Sequence, residues 1–183
     1  MSFEVERFAN HLLAGDQRAA WAEVMTSQQA GHNSLYIFDQ VITKAMEHIG
    51  TLWEQNEITV ADEHLATSVC DVVLTYCESL FLEAGQALAA KPAGRAMFFC
   101  LESERHYLEI KMVSLLFKQA GWEVQFLGPD LPLEYAIAKA AKWKPDVIGI
   151  SVSIAYHLPH PVPSRPLSAA NDDRKASIGR LMP

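Results

Sequence analysis

The 183-residue sequence has no uninterrupted apolar run long enough to cross a membrane, although 50% of its residues are hydrophobic. Its three cysteines, Cys70, Cys77 and Cys100, include no Cys-x-x-Cys pair, so neither a disulfide framework nor a cysteine zinc site is expected. The N-terminus lacks the basic and then apolar pattern of an export signal, which together with unpaired thiols predicts a cytoplasmic protein. With 15 Lys and Arg against 22 Asp and Glu, and no basic stripe, direct nucleic-acid binding is not expected.

Apolar residues at helical spacing predict four helices separated by short polar turns within residues 1–90. Asp16 is expected to cap the second helix and Ser34 the third. Thr59 and Asp62 form a capping pair at the start of the fourth. Because the connections are short, this part is predicted to be an antiparallel four-helix bundle.

The pattern then changes to alternating strands and helices. Three short apolar runs, Ala96–Leu101, Trp122–Leu127 and Val147–Val152, are predicted strands with helical stretches between them. The second of these helices is expected to bury Ile137 together with neighbouring alanines. Strand–helix alternation predicts a Rossmann-like parallel sheet over residues 95–158, so the fold class is mixed α and α/β.

The loop after the first predicted strand contains Glu104 and His106. Ligands of parallel sheets bind at the carboxyl ends of the strands, which makes this loop the candidate site. A single histidine in a loop is also common as a solvated surface residue. The turn after the second predicted strand contains Gly128 and Asp130, within the run Leu127-Gly128-Pro129-Asp130-Leu131-Pro132.

Glu104-Arg105-His106 and the turn with Gly128 and Asp130 resemble the cobalamin-binding domains, which carry an acid, a spacer and His, and later a Leu-Gly-x-Asp-x-Pro turn. The resemblance implies that His106 is the lower ligand of cobalt, that Glu104 orients its other ring nitrogen, and that the turn belongs to the cofactor site. Imidazole suits cobalt, and a carboxylate behind it fixes the tautomer.

Two further positions are compared with that family. The family carries a glycine two spacers after the histidine. In this sequence that position is Glu109, which places a charged side chain where the corrin edge needs room. Ser151, at the end of the third predicted strand, is implied to line the slot for the nucleotide tail of the cofactor. An ordinary strand-end hydroxyl bonded to backbone accounts for Ser151 equally well.

Trp53, Glu63 and His64 have the spacing, Trp then nine residues then Glu-His, of the adenosylcobalamin photoreceptors of the CarH type, which the run from Leu52 to Thr67 resembles. The resemblance implies that Trp53 shields the upper face of the cofactor, that Glu63 contacts the adenosyl group, and that His64 ligates cobalt after light breaks the cobalt–carbon bond. Without this resemblance, each of the three residues has an ordinary structural role. Trp53 is a core aromatic at the end of the bundle, Glu63 is favourable to the helix dipole, and His64 belongs to a solvated stripe.

The resemblance therefore implies an adenosylcobalamin-binding sensory module, light-responsive and more a binding protein than an enzyme. The helix-turn-helix domain of those photoreceptors is not found ahead of the bundle, so signalling is expected through a partner protein or through a homo-oligomer. The alternative is a corrinoid protein that carries methyl groups between methyltransferases, which must expose the upper face of its cofactor. A third possibility is a shortened remnant that binds nothing tightly.

Residues 159–183 hold five of the nine prolines and no helix or strand period, so an irregular, disordered tail is predicted. The cobalamin-binding domains continue for two more strand–helix units with a Gly-Gly pair, and the sequence has no such pair. The change after His157 is interpreted as a shortened or shifted reading frame, or as a genuine tail. A sheet left open in this way is expected to bind cobalamin weakly and to self-associate.

Overall fold

The computed structural model describes residues 2–85 and 92–152. The predicted tail, residues 159–183, lies outside these ranges. No helix among the described residues has the length and apolarity that a membrane span requires. The helices are α1 Phe3–Leu13, α2 Gln17–Gln29, α3 Ser34–Tyr36, α4 Lys44–Glu54, α5 Val60–Gly85, α6 Leu108–Gln119 and α7 Leu133–Trp143, and the strands are β1 Arg95–Cys100, β2 Glu123–Phe126 and β3 Val147–Ser151.

The helices up to α5 form the predicted bundle, in which α1 contacts α2, α4 and α5. The Asp16 side chain caps α2 by accepting from the Ala19 N–H (2.9 Å). At the start of α5 the Thr59 N–H donates to Asp62 Oδ2 (2.8 Å), and the Asp62 N–H donates to Thr59 Oγ1 (3.3 Å). These bonds satisfy amide groups that a helix start leaves without intrahelical partners, and both caps were predicted.

The third helix differs from the prediction in two ways. Its N-cap is Asn33, which accepts from the Tyr36 N–H (2.9 Å), and the Ser34 hydroxyl instead donates to the Gln119 side chain on α6. A π-helical segment, Ile37–Thr43, joins α3 to α4. Ile37, Val41 and Ile42 of this segment are buried in the core of the bundle, as apolar residues at helical spacing predict, but that spacing does not indicate the wider turn.

The three strands form a parallel sheet of order β2-β1-β3, as the strand–helix alternation predicts. Each strand begins or ends within one or two residues of its predicted bounds. Ala96, Phe98 and Cys100 of β1 face α6, whereas Met97 and Phe99 face α7. The mixed α and α/β fold class is therefore confirmed. The domain boundaries 1–90, 95–158 and 159–183 stay predictions.

One predicted core position is wrong. Ile137 is 60% exposed, because α7 packs on the sheet through Ala136, Ala140 and Trp143, and Ile137 lies about a quarter-turn away from Ala136. On the same face of the sheet, Ile148 of β3 is also largely exposed among the described residues.

Gly149 is the position where the sheet tolerates no side chain. It pairs in register with Phe98, and a Cβ built on it would lie 2.3 Å from Phe98 Cδ1. We predict that Gly149→Ala lowers the free energy of unfolding by about 1–3 kcal/mol, because the buried Phe98 ring must move. Urea denaturation followed by circular dichroism measures this.

Gly50→Ala is the matched control. Gly50 lies within α4, and a Cβ there meets no atom within 4 Å. Because alanine favours a helix interior, this change should raise stability by up to about 1 kcal/mol. Equal unfolding midpoints for the two variants would contradict the packing described at Phe98.

Candidate functional site

The loop between β1 and α6 is held in place by the turn that follows β2. Asp130 Oδ1 accepts from the Ser103 N–H (2.7 Å), and the Asp130 N–H donates to the Glu104 carbonyl (3.1 Å). The Gly128 carbonyl accepts from the Cys100 N–H (3.0 Å). Ser103 and Asp130 have φ values of 71° and 56°, a left-handed conformation that is unfavourable outside glycine. The hydrogen bonds between loop and turn offset that cost and fix the loop.

Within this loop, Glu104 is buried and His106 is exposed. Glu104 is 5% exposed, whereas the His106 side chain is 82% exposed. Glu104 Oε1 accepts from the His106 N–H (2.7 Å) and lies 2.8 Å from His106 Nδ1. Because a carboxylate accepts hydrogen bonds, Nδ1 of His106 is the donor in this contact, and Nε2 is the ring nitrogen that is not bound to Glu104. The loop therefore presents the exposed His106 ring to the space above it.

The first turns of α5 lie across that space. Glu63 Oε1 accepts from the Thr67 hydroxyl (2.9 Å), one turn further along the same helix. His64 Nε2 is 3.8 Å from Glu63 Oε2, and the His64 side chain is 76% exposed. The Thr67 bond therefore fixes the carboxylate, whereas the imidazole of His64 lies largely in solvent.

A cleft of about 480 Å³ separates α5 from the loop. That volume is typical of a small-molecule site. The described residues that line the cleft come from both sides: Met46, Glu63, His64, Thr67 and Ser68 from the bundle, and Ser103, Arg105, His106, Tyr107, Leu108 and Glu109 from the loop and the start of α6.

Two ion pairs join the helices on either side of the cleft. Lys111 Nζ lies 2.7 Å from Asp71 Oδ1, and Lys118 pairs with Glu78. Both lysines are on α6 and both acids on α5. The residue numbers rise together on both helices, so α5 and α6 run parallel. Burial, with the nearby Asp71 carboxylate, raises the pKa of Tyr107 to about 12. Asp71 thus links α5 to the residue directly after His106.

Four of the predicted site residues meet at this cleft. His106, Glu63 and His64 line it, and Glu104 supports His106 from below. Trp53 lies in the last turn of α4, is 49% exposed, and is outside the set of described residues that line the cleft.

The other predicted residues lie behind the loop. Gly128 and Asp130 shape it from the β2 side, and the Ser151 carbonyl accepts from the Leu101 N–H (3.1 Å) at the end of β3. Asp130 contacts the loop backbone, Gly128 and Ser151 contact the backbone at the end of β1, and the Ser151 side chain also bonds with the Cys100 thiol. Their roles toward a ligand stay predictions.

Several lining residues have no counterpart in the sequence prediction. Met46 approaches from α4, Thr67 fixes the Glu63 carboxylate, and Arg105 brings a positive charge. Arg105 sits between two residues that were singled out, so its position in the loop was available as a signal. Met46 is an apolar residue of α4, and its approach to the cleft carried no signal in the sequence.

Comparison with known proteins identifies related sequences for both parts. A family model described as a B12 binding domain matches residues 4–78, and a second model with that description matches residues 94–161. Together they cover well over half of the chain.

Curated relatives have similar sequences. A corrinoid protein of Desulfitobacterium hafniense is 27% identical over 68% of this chain, and the transcriptional repressor CarH of Myxococcus xanthus is 26% identical over 71%. The chain spans 59% and 41% of the lengths of these two relatives. Among solved structures, the monomethylamine corrinoid protein of Methanosarcina barkeri has a TM-score of 0.66 at 17% identity, over 82% of this chain and 70% of its own. That likeness supports the fold.

The Asp71 link makes a testable prediction. Asp71→Asn should lower the pKa of Tyr107 from about 12, because it removes a nearby negative charge, and burial should keep that pKa above its ordinary value of about 10. Ultraviolet titration of tyrosinate, with Tyr107→Phe to identify the signal, measures the shift. The Glu78→Gln variant breaks the other ion pair and serves as control. An unchanged Tyr107 titration in Asp71→Asn would show that Asp71 does not reach the phenol.

Proposed function

Since this chain belongs to the B12-binding domain family, its cofactor is a cobalamin or a related corrinoid, and we propose that the cleft between α5 and the His106 loop holds the corrin ring. The observation that carries the proposal is the His106 imidazole. Its Nδ1 is bound to buried Glu104, and its side chain is exposed to the cleft. In this proposal Nε2 of His106 would ligate the cobalt of the bound cofactor.

The donor set fits this group. Imidazole is a suitable ligand for a transition metal such as cobalt, and His106 would supply it. The carboxylate of Glu104 raises the basicity of that imidazole and holds its orientation. Glu109 is exposed in the cleft rather than buried in its floor, so its side chain has room to turn aside. When bound, the cofactor supplies a cobalt–carbon bond that can transfer its carbon group or break under light.

The first candidate function is that of a corrinoid protein that carries a methyl group. Relatives named corrinoid protein and dimethylamine corrinoid protein support it, the latter at 24% identity over 67% of this chain. The cleft supports it as well, because His64 is largely exposed and Trp53 does not line the described part of the cleft. In this function a methyltransferase would approach the upper face, while His106 and Glu104 hold the cofactor.

The second candidate is a light-responsive adenosylcobalamin sensor. It is supported by the similarity to CarH and by the placement of Glu63 and His64 on the roof of the cleft, opposite His106. In this function Trp53 would shield the upper face, Glu63 would contact the adenosyl group, and His64 would be available to ligate cobalt after the cobalt–carbon bond is broken. Signalling through a partner protein or through a homo-oligomer belongs to this candidate.

His106→Ala tests the site itself. We predict that it removes the spectrum of imidazole-ligated cobalamin and weakens binding by more than the ~10–100-fold that Glu104→Gln should cause, because a ligand to cobalt is lost rather than its support. Absorbance titration with methylcobalamin in the dark measures both. His11→Ala, on α1, is the control. Wild-type binding and spectrum in His106→Ala would refute the assignment.

His64→Ala separates the two candidates. If the chain is a sensor, illumination of the adenosylcobalamin complex should give a spectrum with imidazole on both faces of cobalt, and His64→Ala should lack it. If the chain is a methyl carrier, wild type and His64→Ala should give the same photoproduct, because the upper face is left open for a partner. Spectra before and after illumination distinguish these outcomes.

A further inference from the structure

Glu109 is a carboxylate in the wall of the cleft that the proposed function leaves without a role. It lies in the first turn of α6, where the positive end of the helix dipole favours an acid, and it lines the cleft together with His106. It is exposed, and its carboxylate has no hydrogen bond or ion pair with another described residue. Its charge is therefore not neutralised by a contact within the described part of the chain.

The other charges around the cleft do not cancel the negative charge of Glu109. Glu63 adds a second carboxylate on the roof, and Glu104 a third behind the His106 ring. Arg105 is the one Lys or Arg among the described residues that line the cleft. Lys111, two residues further along α6, is already paired with Asp71. The balance of charge facing a bound ligand is negative.

The net charge of cobalamin depends on the state of its cobalt. The corrin and the nucleotide phosphate each carry a negative charge. The cofactor is therefore a cation when cobalt(III) holds water, neutral when cobalt(III) holds an alkyl group, and an anion when cobalt is reduced to cobalt(I). Fixed charges in a partly enclosed cleft distinguish such states by Coulomb interaction, and the effect weakens as salt is added.

We infer that Glu109 is a specificity-determining residue, whose charge makes this cleft favour the cationic aqua form of cobalamin over the neutral methyl form and disfavour the reduced anion. The inference rests on the proposed cobalamin site and on neither of the two candidate functions. It assigns a role to the position at which this sequence departs from the glycine of the family pattern.

The test compares two ligands in the dark, aquacobalamin and methylcobalamin, and measures the ratio of their affinities by absorbance titration. Glu109→Gln should shift this ratio toward methylcobalamin by about 2- to 5-fold, the size expected of one charge at a solvated site. Arg105→Gln should shift it the opposite way, toward aquacobalamin. Raising the salt concentration should shrink both shifts, because exposed charges are screened.

Glu102→Gln is the matched control. Glu102 belongs to the same loop, is four residues from His106, and is exposed, but it is outside the described residues that line the cleft. The Glu102→Gln variant loses the same charge as Glu109→Gln, and its ratio of affinities for the two ligands should equal that of wild type. Circular dichroism and urea unfolding establish that all three variants fold.

The outcomes separate the inference from the function on which it rests. If wild type binds both forms and Glu109→Gln matches Glu102→Gln, the charge of Glu109 does not select the cofactor state, and the inference is wrong while the cobalamin site stands. If Arg105→Gln shifts the ratio in the same direction as Glu109→Gln, charge is not the cause, and the inference is also wrong. If wild type binds neither form, the proposed site and the inference fail together.

Discussion

The packing of α6 against two cores at once is the constraint on which the rest of the structure depends. Its residues Leu108, Met112 and Leu115 belong to the core of the bundle, whereas Ile110 packs with the side chains of β1. Each buried side chain of this size contributes about 1.5–3 kcal/mol, so separating the bundle from α6 would expose a large part of the core. The loop with His106 leads directly into this helix. Core packing therefore sets the distance between this loop and α5.

The polar contacts between α5 and α6 also hold α6 against the bundle, at the surface of the protein. Glu63, Thr67 and Asp71 follow one another at four-residue spacing on α5, so a single stripe carries both the roof of the cleft and the ion pair to Lys111. The pair is partly buried, and breaking it would leave a charge without a partner in a poorly solvated place. The roof of the cleft cannot rise far above the loop unless this contact and the shared core both open.

The sequence predicted what depends on local pattern. Helical and strand periodicity located the elements, the caps at Asp16 and Thr59 were identified from residue type, and the acid–His pair, whose members are in contact, marked the loop after β1 as the candidate site. The sequence did not predict the features that depend on contacts between residues far apart in the chain. Asp71 and Lys111 are 40 positions apart and each looks like an ordinary surface charge. Ile137 looked apolar enough for the core, but the packing of α7 excluded it.

The lower and upper sides of the cleft are under different constraints, and this explains how one scaffold supports two candidate functions. The lower side is fixed by buried Glu104, by the Asp130 turn and by β1, so the His106 imidazole has little freedom to change. The upper side includes exposed side chains on a helix surface, such as His64, which can be exchanged without disturbing the core. In the proposed function, the lower side would therefore hold the cofactor, and the roof residues would decide between the two candidate functions.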